Sequence, residues 1–208
     1  MSKSRKIVAL LLTVLMVLPA IAACGAKERE ADKLVGTWRA ELNIDDDLNS
    51  DLGEMEDYFS FEGYNVIMTF TFNEDGKYSI RVDRDATLAS FAGMRDLFMD
   101  GFTKYAEALI VSMGVDATAE EVFEASGTSL EEIVDVTLDD FNSSLDDIFA
   151  TMELDGNWDA ADGKLYSTKT ESEEISKNSY DLYELDGNTL SLRDPNTNEL
   201  VVTMKKAS

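Results

Sequence analysis

Apolar and polar residues alternate along two separate parts of the chain, which is the pattern of half-buried β-strands. In the first part, Trp38, Ala40 and Leu42 alternate with polar or charged residues. The alternation predicts three strands here, at residues 34–44, 65–73 and 77–83. Glycine accepts the positive φ of a tight turn, so Asp75-Gly76 predicts that the second and third strands form a hairpin.

The same alternation returns towards the C-terminus. It predicts five further strands, at residues 157–160, 164–167, 180–185, 189–193 and 200–205. Asp162-Gly163 and Asp186-Gly187-Asn188 are turn sequences of two more hairpins. An antiparallel sheet of about eight strands can close into a barrel that holds side chains or one small ligand. The prediction is therefore an antiparallel barrel or a strongly curved sheet.

Between the two β parts, residues 84–153 change to a helical period. Apolar residues recur every three or four positions, so each predicted helix has one apolar face. Thr118–Glu121 and Ser129–Glu132 are capping-box patterns that predict two helix starts. Residues 142–144, Asn-Ser-Ser, are a candidate break in the last helix. The whole chain is thus predicted to be mainly β with an α insert of three to four helices.

Gly36-Thr37-Trp38, at the start of the first strand, resembles the Gly-x-Trp motif of bacterial lipocalin-like domains. In lipocalins this tryptophan packs across the closed end of a barrel. The resemblance implies one β domain in two parts, 34–83 and 154–208, interrupted by the helical insert 84–153. Ordinary lipocalins carry no insert of this size at that place.

Aromatic residues are the candidates for a ligand pocket. If the insert covers the barrel mouth, its Phe and Tyr side chains would meet a ligand together with those of the barrel interior. The pocket candidates are Trp38, Phe70, Phe72, Phe98, Phe102 and Tyr105. The alternative is that the helices use these side chains as plain core, packing on one another and on the sheet.

The first residues carry the pattern of an export signal. Lys3, Arg5 and Lys6 precede residues 7–23, which contain no charge, and small residues lead to the single cysteine, Cys24. The sequence 21–24, Ile-Ala-Ala-Cys, resembles the lipobox of bacterial lipoproteins. In that family the cysteine thiol receives a diacylglycerol, the chain is cut before it, and the new N-terminus is acylated.

The lipobox resemblance implies a signal peptide at 1–23, a lipidated tether at 24–33 and a location on the extracytoplasmic face of the cell membrane. Two alternatives are an uncleaved transmembrane helix and an ordinary secretory signal followed by a chance cysteine. The apolar run is shorter than the ~20 residues of a spanning helix, and Pro19 interrupts its end. The secretory alternative would leave an unpaired thiol.

The net charge narrows the range of partners. Acidic residues number 42 against 18 basic ones, which gives a formal charge of −24. Such a surface repels nucleic-acid phosphates, so no nucleic acid is expected as a partner. It also repels anionic lipid headgroups, so membrane attachment is expected to depend on the lipid at Cys24.

The amino-acid composition disfavours catalysis. The chain has no histidine, and its one cysteine is the predicted lipidation site. Ser-His-Asp triads, His-bearing zinc sites and thiolate nucleophiles are therefore unavailable, and no phosphate-binding glycine loop occurs. Neither an enzyme nor a cofactor is expected. A hydrolase would depend on two carboxyl groups about 5 Å or ~6.5–9.5 Å apart.

One acidic stretch has the spacing of a calcium loop. The residues at positions 1, 3, 5, 7 and 12 of an EF-hand-like loop are Asp45, Asp47, Asn49, Asp51 and Glu56. However, Ser50 occupies the position of the glycine that the sharp turn requires. The favoured interpretation is a solvated acidic loop, with no metal site.

Three functions remain open from the sequence. The first is a lipid-anchored, extracytoplasmic, lipocalin-like protein that binds a small apolar ligand. The second is a non-catalytic cell-envelope module that docks another protein through the helical insert. The third is the carboxylate-based hydrolase.

Overall fold

The computed structural model describes residues 29–207, and within them eight antiparallel strands form a closed barrel. Each strand pairs with the next in sequence, and the eighth pairs with the first. The strands are β1 (Gly36–Asn43), β2 (Asn65–Phe72), β3 (Lys77–Val82), β4 (Leu154–Ala161), β5 (Lys164–Ser167), β6 (Asp181–Asp186), β7 (Thr189–Arg193) and β8 (Leu200–Lys206). The predicted fold class is confirmed, and the architecture is consistent with a lipocalin-like barrel.

Six α-helices are described beside the strands. They are α1 (Glu30–Leu34), α2 (Asp45–Ser50), α3 (Arg84–Ser90), α4 (Met94–Met113), α5 (Ala119–Ser126) and α6 (Leu130–Met152). The last four form the insert between β3 and β4. None of the helices in the described part of the chain has the length and apolar character needed to cross a membrane.

The turn residues adopt the backbone conformations that their sequences predict. Gly76 has φ 79°, and Asp162 and Gly163 both have positive φ, at 53° and 71°. Positive φ at two successive residues gives a turn whose twist matches the right-handed twist of the flanking strands. This turn therefore fixes the β4–β5 register.

One end of the barrel is closed by α1 and by the β2–β3, β4–β5 and β6–β7 turns. The indole Nε1 of the fully buried Trp38 donates a hydrogen bond to the Leu34 carbonyl. Ala31 and Leu34 are also buried. The last residues of the predicted tether, from Glu30 on, are therefore part of the folded domain and pack against the closed end of the barrel.

The insert starts and ends at the opposite end of the barrel. Thr118 and Ser129 form the two predicted capping boxes, and Gly114 and Gly127 end their helices in left-handed conformations. The candidate break at 142–144 is not observed, because α6 is continuous from Leu130 to Met152. The Ser144 hydroxyl donates to the carbonyl one turn earlier instead of breaking the helix.

The insert packs beside the barrel as well as over its rim. Helix α3 lies along the start of β2, beyond the end of β3, where the buried Thr87 hydroxyl accepts a hydrogen bond from the N–H of Ile67. Helices α4 and α6 pack on each other, and the C-terminal end of α6 contacts β3. The eight strands and the core that the structure describes lie within residues 29–207, and a chain that starts at residue 25 contains all of them.

Candidate functional site

The open half of the barrel contains a cavity of about 360 Å³. Its wall comes from seven of the eight strands and from Met152 at the end of α6. Small-ligand pockets usually measure about 300–1,000 Å³. The apolar lining includes Leu42, Phe70, Ile80, Leu165, Leu192 and Val202.

The closed half of the barrel is filled by side chains. Trp38, Leu190 and Met204 have no exposed surface. Phe72 and Tyr78 separate this filled half from the cavity, with their rings stacked at a centroid distance of 6.0 Å. The barrel therefore has a solid floor and a hollow upper half.

A glycine fixes the position of Tyr78 in this floor. Gly156 lies opposite Tyr78 in the β3–β4 register. A Cβ at Gly156 would lie 2.7 Å from the Tyr78 ring and 2.3 Å from the Thr168 carbonyl oxygen. Without that Cβ, the Tyr78 hydroxyl crosses over Gly156 and donates a 2.7 Å hydrogen bond to Thr168. Burial raises the pKa of Tyr78, so its hydroxyl stays protonated and keeps donating.

Asp181 is the one charged residue among those that line the cavity. It is the first residue of β6 and lies opposite Leu165 in the β5–β6 register. Burial among apolar side chains raises the pKa of Asp181, and the nearby carboxylate of Asp194 raises it further. No cation or hydrogen-bond donor of the described chain offsets these two effects.

Asp194, directly after β7, is stabilised in its ionised form. Its carboxylate accepts hydrogen bonds from the backbone N–H groups of Asn196 and Thr197. The bonds from Thr197 and Asn196 lower the pKa of Asp194. A fixed negative charge therefore lies at the rim of the barrel near Asp181.

The structure does not bring the six pocket candidates together. Phe70 and Phe72 line the cavity, whereas Trp38 is buried below it at the closed end. Phe98, Phe102 and Tyr105 lie within the insert, away from the cavity lining. The insert contributes Met152 to the cavity instead of the aromatic face of α4.

The aromatic face of α4 packs against the segment 51–64, which connects α2 to β2. The Phe102 ring lies 5.2 Å from that of Phe59, and the Tyr105 ring lies 5.3 Å from that of Tyr58. Gly101 permits this packing, because a Cβ there would lie 2.3 Å from the Phe59 ring. Phe98 is buried in the core, as in the alternative that the sequence left open, whereas Phe102 and Tyr105 are half-buried and also line an apolar groove on the insert.

The calcium-loop candidates have structural roles in the same region. Residues 45–50 form α2, and the Asp45 carboxylate accepts hydrogen bonds from the backbone N–H groups of Gly63 and Tyr64, both at 2.8 Å. The Asn49 amide bonds both backbone groups of Phe61 at 2.9 Å. Asp47, Asp51 and Glu56 join no metal-binding group, since the described residues contain no suitable cluster of three or more His, Cys, Asp or Glu.

The insert has two surface grooves of its own. One, of about 270 Å³, is apolar and includes Leu109, Met113, Val122 and Ile133. The other, of about 470 Å³, is bordered by Glu120, Glu124 and Glu131. Both are on the helices and are separate from the barrel cavity.

Sequence reasoning missed Asp181, although a signal for it exists. Asp181, Tyr183 and Leu185 alternate along one predicted strand, which places a charged residue on the face that otherwise points inwards. Cys24, the predicted lipidation site, lies outside the described residues. Comparison of the chain with protein-family models, curated proteins and solved structures gives no significant match.

Proposed function

We propose that this protein binds a small, largely apolar ligand in the open half of its barrel while a lipid on Cys24 anchors it to the outer face of the cell membrane. The observation that carries the proposal is the cavity of about 360 Å³ with its apolar lining. The lipocalin-like architecture of the barrel and the lipobox sequence support the two parts of the proposal.

The cavity favours an apolar occupant on energetic grounds. Its exposed Leu, Ile, Val and Phe side chains lack the packing partners that a filled core provides. A ligand chain that entered it would gain about 0.8 kcal/mol for each buried CH₂ group. The closed half already supplies a packed core, so the hollow half is available for binding.

The proposed anchor would set the orientation of the mouth. Cys24 precedes Arg29 by five positions, a length of chain that spans at most roughly 18 Å. Helix α1 follows directly and lies at the closed end. The closed end would therefore lie nearest the bilayer, and the mouth would open away from it to receive ligand from the aqueous side.

Binding is tested with 1-decanol and a soluble chain that starts at residue 25. Calorimetric titration should show one site on the wild-type protein. Leu192→Trp should abolish binding by filling the cavity, and Val111→Trp is the matched control, because Val111 is 78% exposed on α4. Circular dichroism establishes that both variants fold. Ile80→Trp is a second cavity-filling variant, which replaces Leu192→Trp in the test if that protein does not fold. Absence of binding to the folded wild type would refute a ligand site here.

Anchoring is tested separately with the full chain in bacterial cells. The wild type should incorporate labelled palmitate and sediment with membranes, and Cys24→Ser should do neither. Lys27→Gln changes a neighbouring residue and should behave as the wild type. Persistent membrane attachment of Cys24→Ser, at wild-type levels, would contradict the lipid anchor.

A second candidate function is a docking module for another envelope protein. Val111, Met113 and Val115 are exposed at the end of α4, next to the apolar groove of the insert. A photo-crosslinking side chain at Met113 in cells should then yield one discrete adduct. The same group at Ser172, in an exposed loop outside the insert, should yield none.

A further inference from the structure

Asp181 adds a charged group to a cavity whose wall is otherwise mostly apolar. Its carboxylate is at the mouth, and the remaining lining is apolar except for Ser167 and the Tyr78 hydroxyl. The Tyr78 hydroxyl is already committed to the Thr168 carbonyl. The carboxylate is therefore the one strong polar group available to a ligand.

The basic residues on the segments next to Asp181 make other contacts. Arg193, opposite Leu182 on β7, donates a hydrogen bond to the Asn198 carbonyl, and Lys177 pairs with Asp159. The Lys164 ammonium lies 4.2 Å from the centre of the Tyr180 ring. Among the described residues, none of these cations forms an ion pair with Asp181.

A second carboxylate adds to the negative charge near Asp181. Asp194 holds a fixed negative charge at the rim, and the chain as a whole carries a formal charge of −24. A mouth of this kind attracts cations and repels anions on approach. A carboxylate among apolar side chains also favours a ligand that supplies a positive partner, because an unpaired ion is costly to hold there.

The volume bounds the size of the ligand. One water molecule occupies about 30 Å³ in the liquid, and we take this as the volume of one non-hydrogen atom with its hydrogens. The cavity of about 360 Å³ then holds roughly a dozen non-hydrogen atoms. An unbranched chain of about ten carbons with a small head fits this number.

We propose that the barrel cavity selects cationic amphiphiles: an alkyl chain fills the apolar space, and an ammonium head pairs with Asp181 at the mouth. This inference depends on the proposed ligand-binding function and names the ligand class.

The test compares three ligands with one chain length and different heads. Decylamine, 1-decanol and decanoate are titrated calorimetrically at neutral pH into the soluble chain that starts at residue 25. Since hydrogen bonds to charged groups contribute roughly 1.5–3 kcal/mol, decylamine should bind about 10- to 100-fold more tightly than 1-decanol. Decanoate should bind most weakly of the three.

Two substitutions on one strand isolate the carboxylate. Asp181→Asn should remove the advantage of decylamine, which is measured as the ratio of the decylamine and 1-decanol affinities of the same variant. Glu184→Gln removes an equal charge from the exposed face of β6 and should preserve the advantage.

The outcomes separate this inference from the function on which it rests. Equal binding of decylamine and 1-decanol would overturn the cationic selectivity and leave the apolar site intact. An advantage that survives in Asp181→Asn would also overturn it, because the general negative field would then be the cause. If none of the three ligands binds, the proposed function itself fails.

Discussion

The Trp38 indole Nε1 donates a 2.8 Å hydrogen bond to the backbone carbonyl of Leu34, and the side chains of both residues are fully buried. This bond joins α1 to β1 and closes one end of the barrel. Lys206, at the end of β8, places its ammonium 5.2 Å from the Trp38 ring centre. Three elements thus meet at one tryptophan, which fills the closed end below the cavity.

Substitution of Trp38 is expected to destabilise the fold strongly. Trp38→Ala should lower the free energy of unfolding by about 3–5 kcal/mol, because it leaves a large cavity and an unpaired carbonyl. Urea unfolding followed by far-UV circular dichroism measures this. Val111→Ala, at an exposed position, is the control and should change the stability by less than about 0.5 kcal/mol. A Trp38→Ala protein as stable as this control would contradict the stabilising role of Trp38 at the closed end of the barrel.

Thr87 anchors the first helix of the insert to the barrel wall. Because β3 ends at Val82, which pairs with Met68, the N–H of Ile67 lies beyond that strand and bonds the buried Thr87 hydroxyl at 2.9 Å. Thr87→Val preserves the shape but removes the acceptor, so it should cost about 1–3 kcal/mol. Thr87→Ser retains the acceptor and loses one methyl group, worth about 0.8 kcal/mol. Hydrogen exchange at the Ile67 amide should accelerate in the valine variant and not in the serine variant.

The sequence predicts the barrel well because its signals are local. Alternation marks each strand, and Asp-Gly turns such as Asp162-Gly163 join three pairs of neighbouring strands. The capping boxes at Thr118 and Ser129 mark helix starts for the same reason. The β3–β4 pairing across the insert and the closing β1–β8 pairing have no such local signal. The segment 51–64 has no periodicity, and its position is set by distant partners such as Asp45 and Asn49.

The candidate site was less predictable than the fold. A helical stripe shows that Phe98 and Phe102 face something apolar, but it does not show whether that surface is a ligand, the barrel or another loop. Here it is the loop that carries Phe59. Asp181 is one of 42 acidic residues, so its residue type alone carries no information. Its significance depends on which side of β6 faces the cavity.

The contact between Gly101 and Phe59 should decide whether alanine at position 101 stabilises or destabilises the fold. In the wild type, Gly101→Ala places a Cβ 2.3 Å from the Phe59 ring, and such overpacking should cost about 1–3 kcal/mol. In a Phe59→Ala background the ring is gone, and alanine stabilises a helix by up to about 1 kcal/mol relative to glycine. Urea unfolding of the four proteins measures both effects. If Gly101→Ala changes the free energy of unfolding in the same direction in both backgrounds, the Phe59 ring is not the cause of the destabilisation.

The cavity carboxylate should make the fold less stable at neutral pH than it would be without a charge there. Burial raises the pKa of Asp181 above the ordinary value of 3.8, and Asp194 adds to the effect. Between that ordinary value, which applies to the unfolded chain, and the raised folded value, the folded protein binds more protons than the unfolded chain. The contribution of Asp181 to stability therefore falls as pH rises through this window.

Asp181→Asn is accordingly expected to raise the free energy of unfolding at pH 7. The difference from the wild type should shrink as pH is lowered through the window and disappear below 3.8, where both states are protonated. Urea unfolding at several pH values measures it, with the exposed Glu184→Gln as the control. A variant less stable than the wild type at pH 7 would mean that the carboxylate has a favourable partner within the fold. Because a cationic ligand binds the folded state alone, saturating decylamine should stabilise the wild type more than Asp181→Asn.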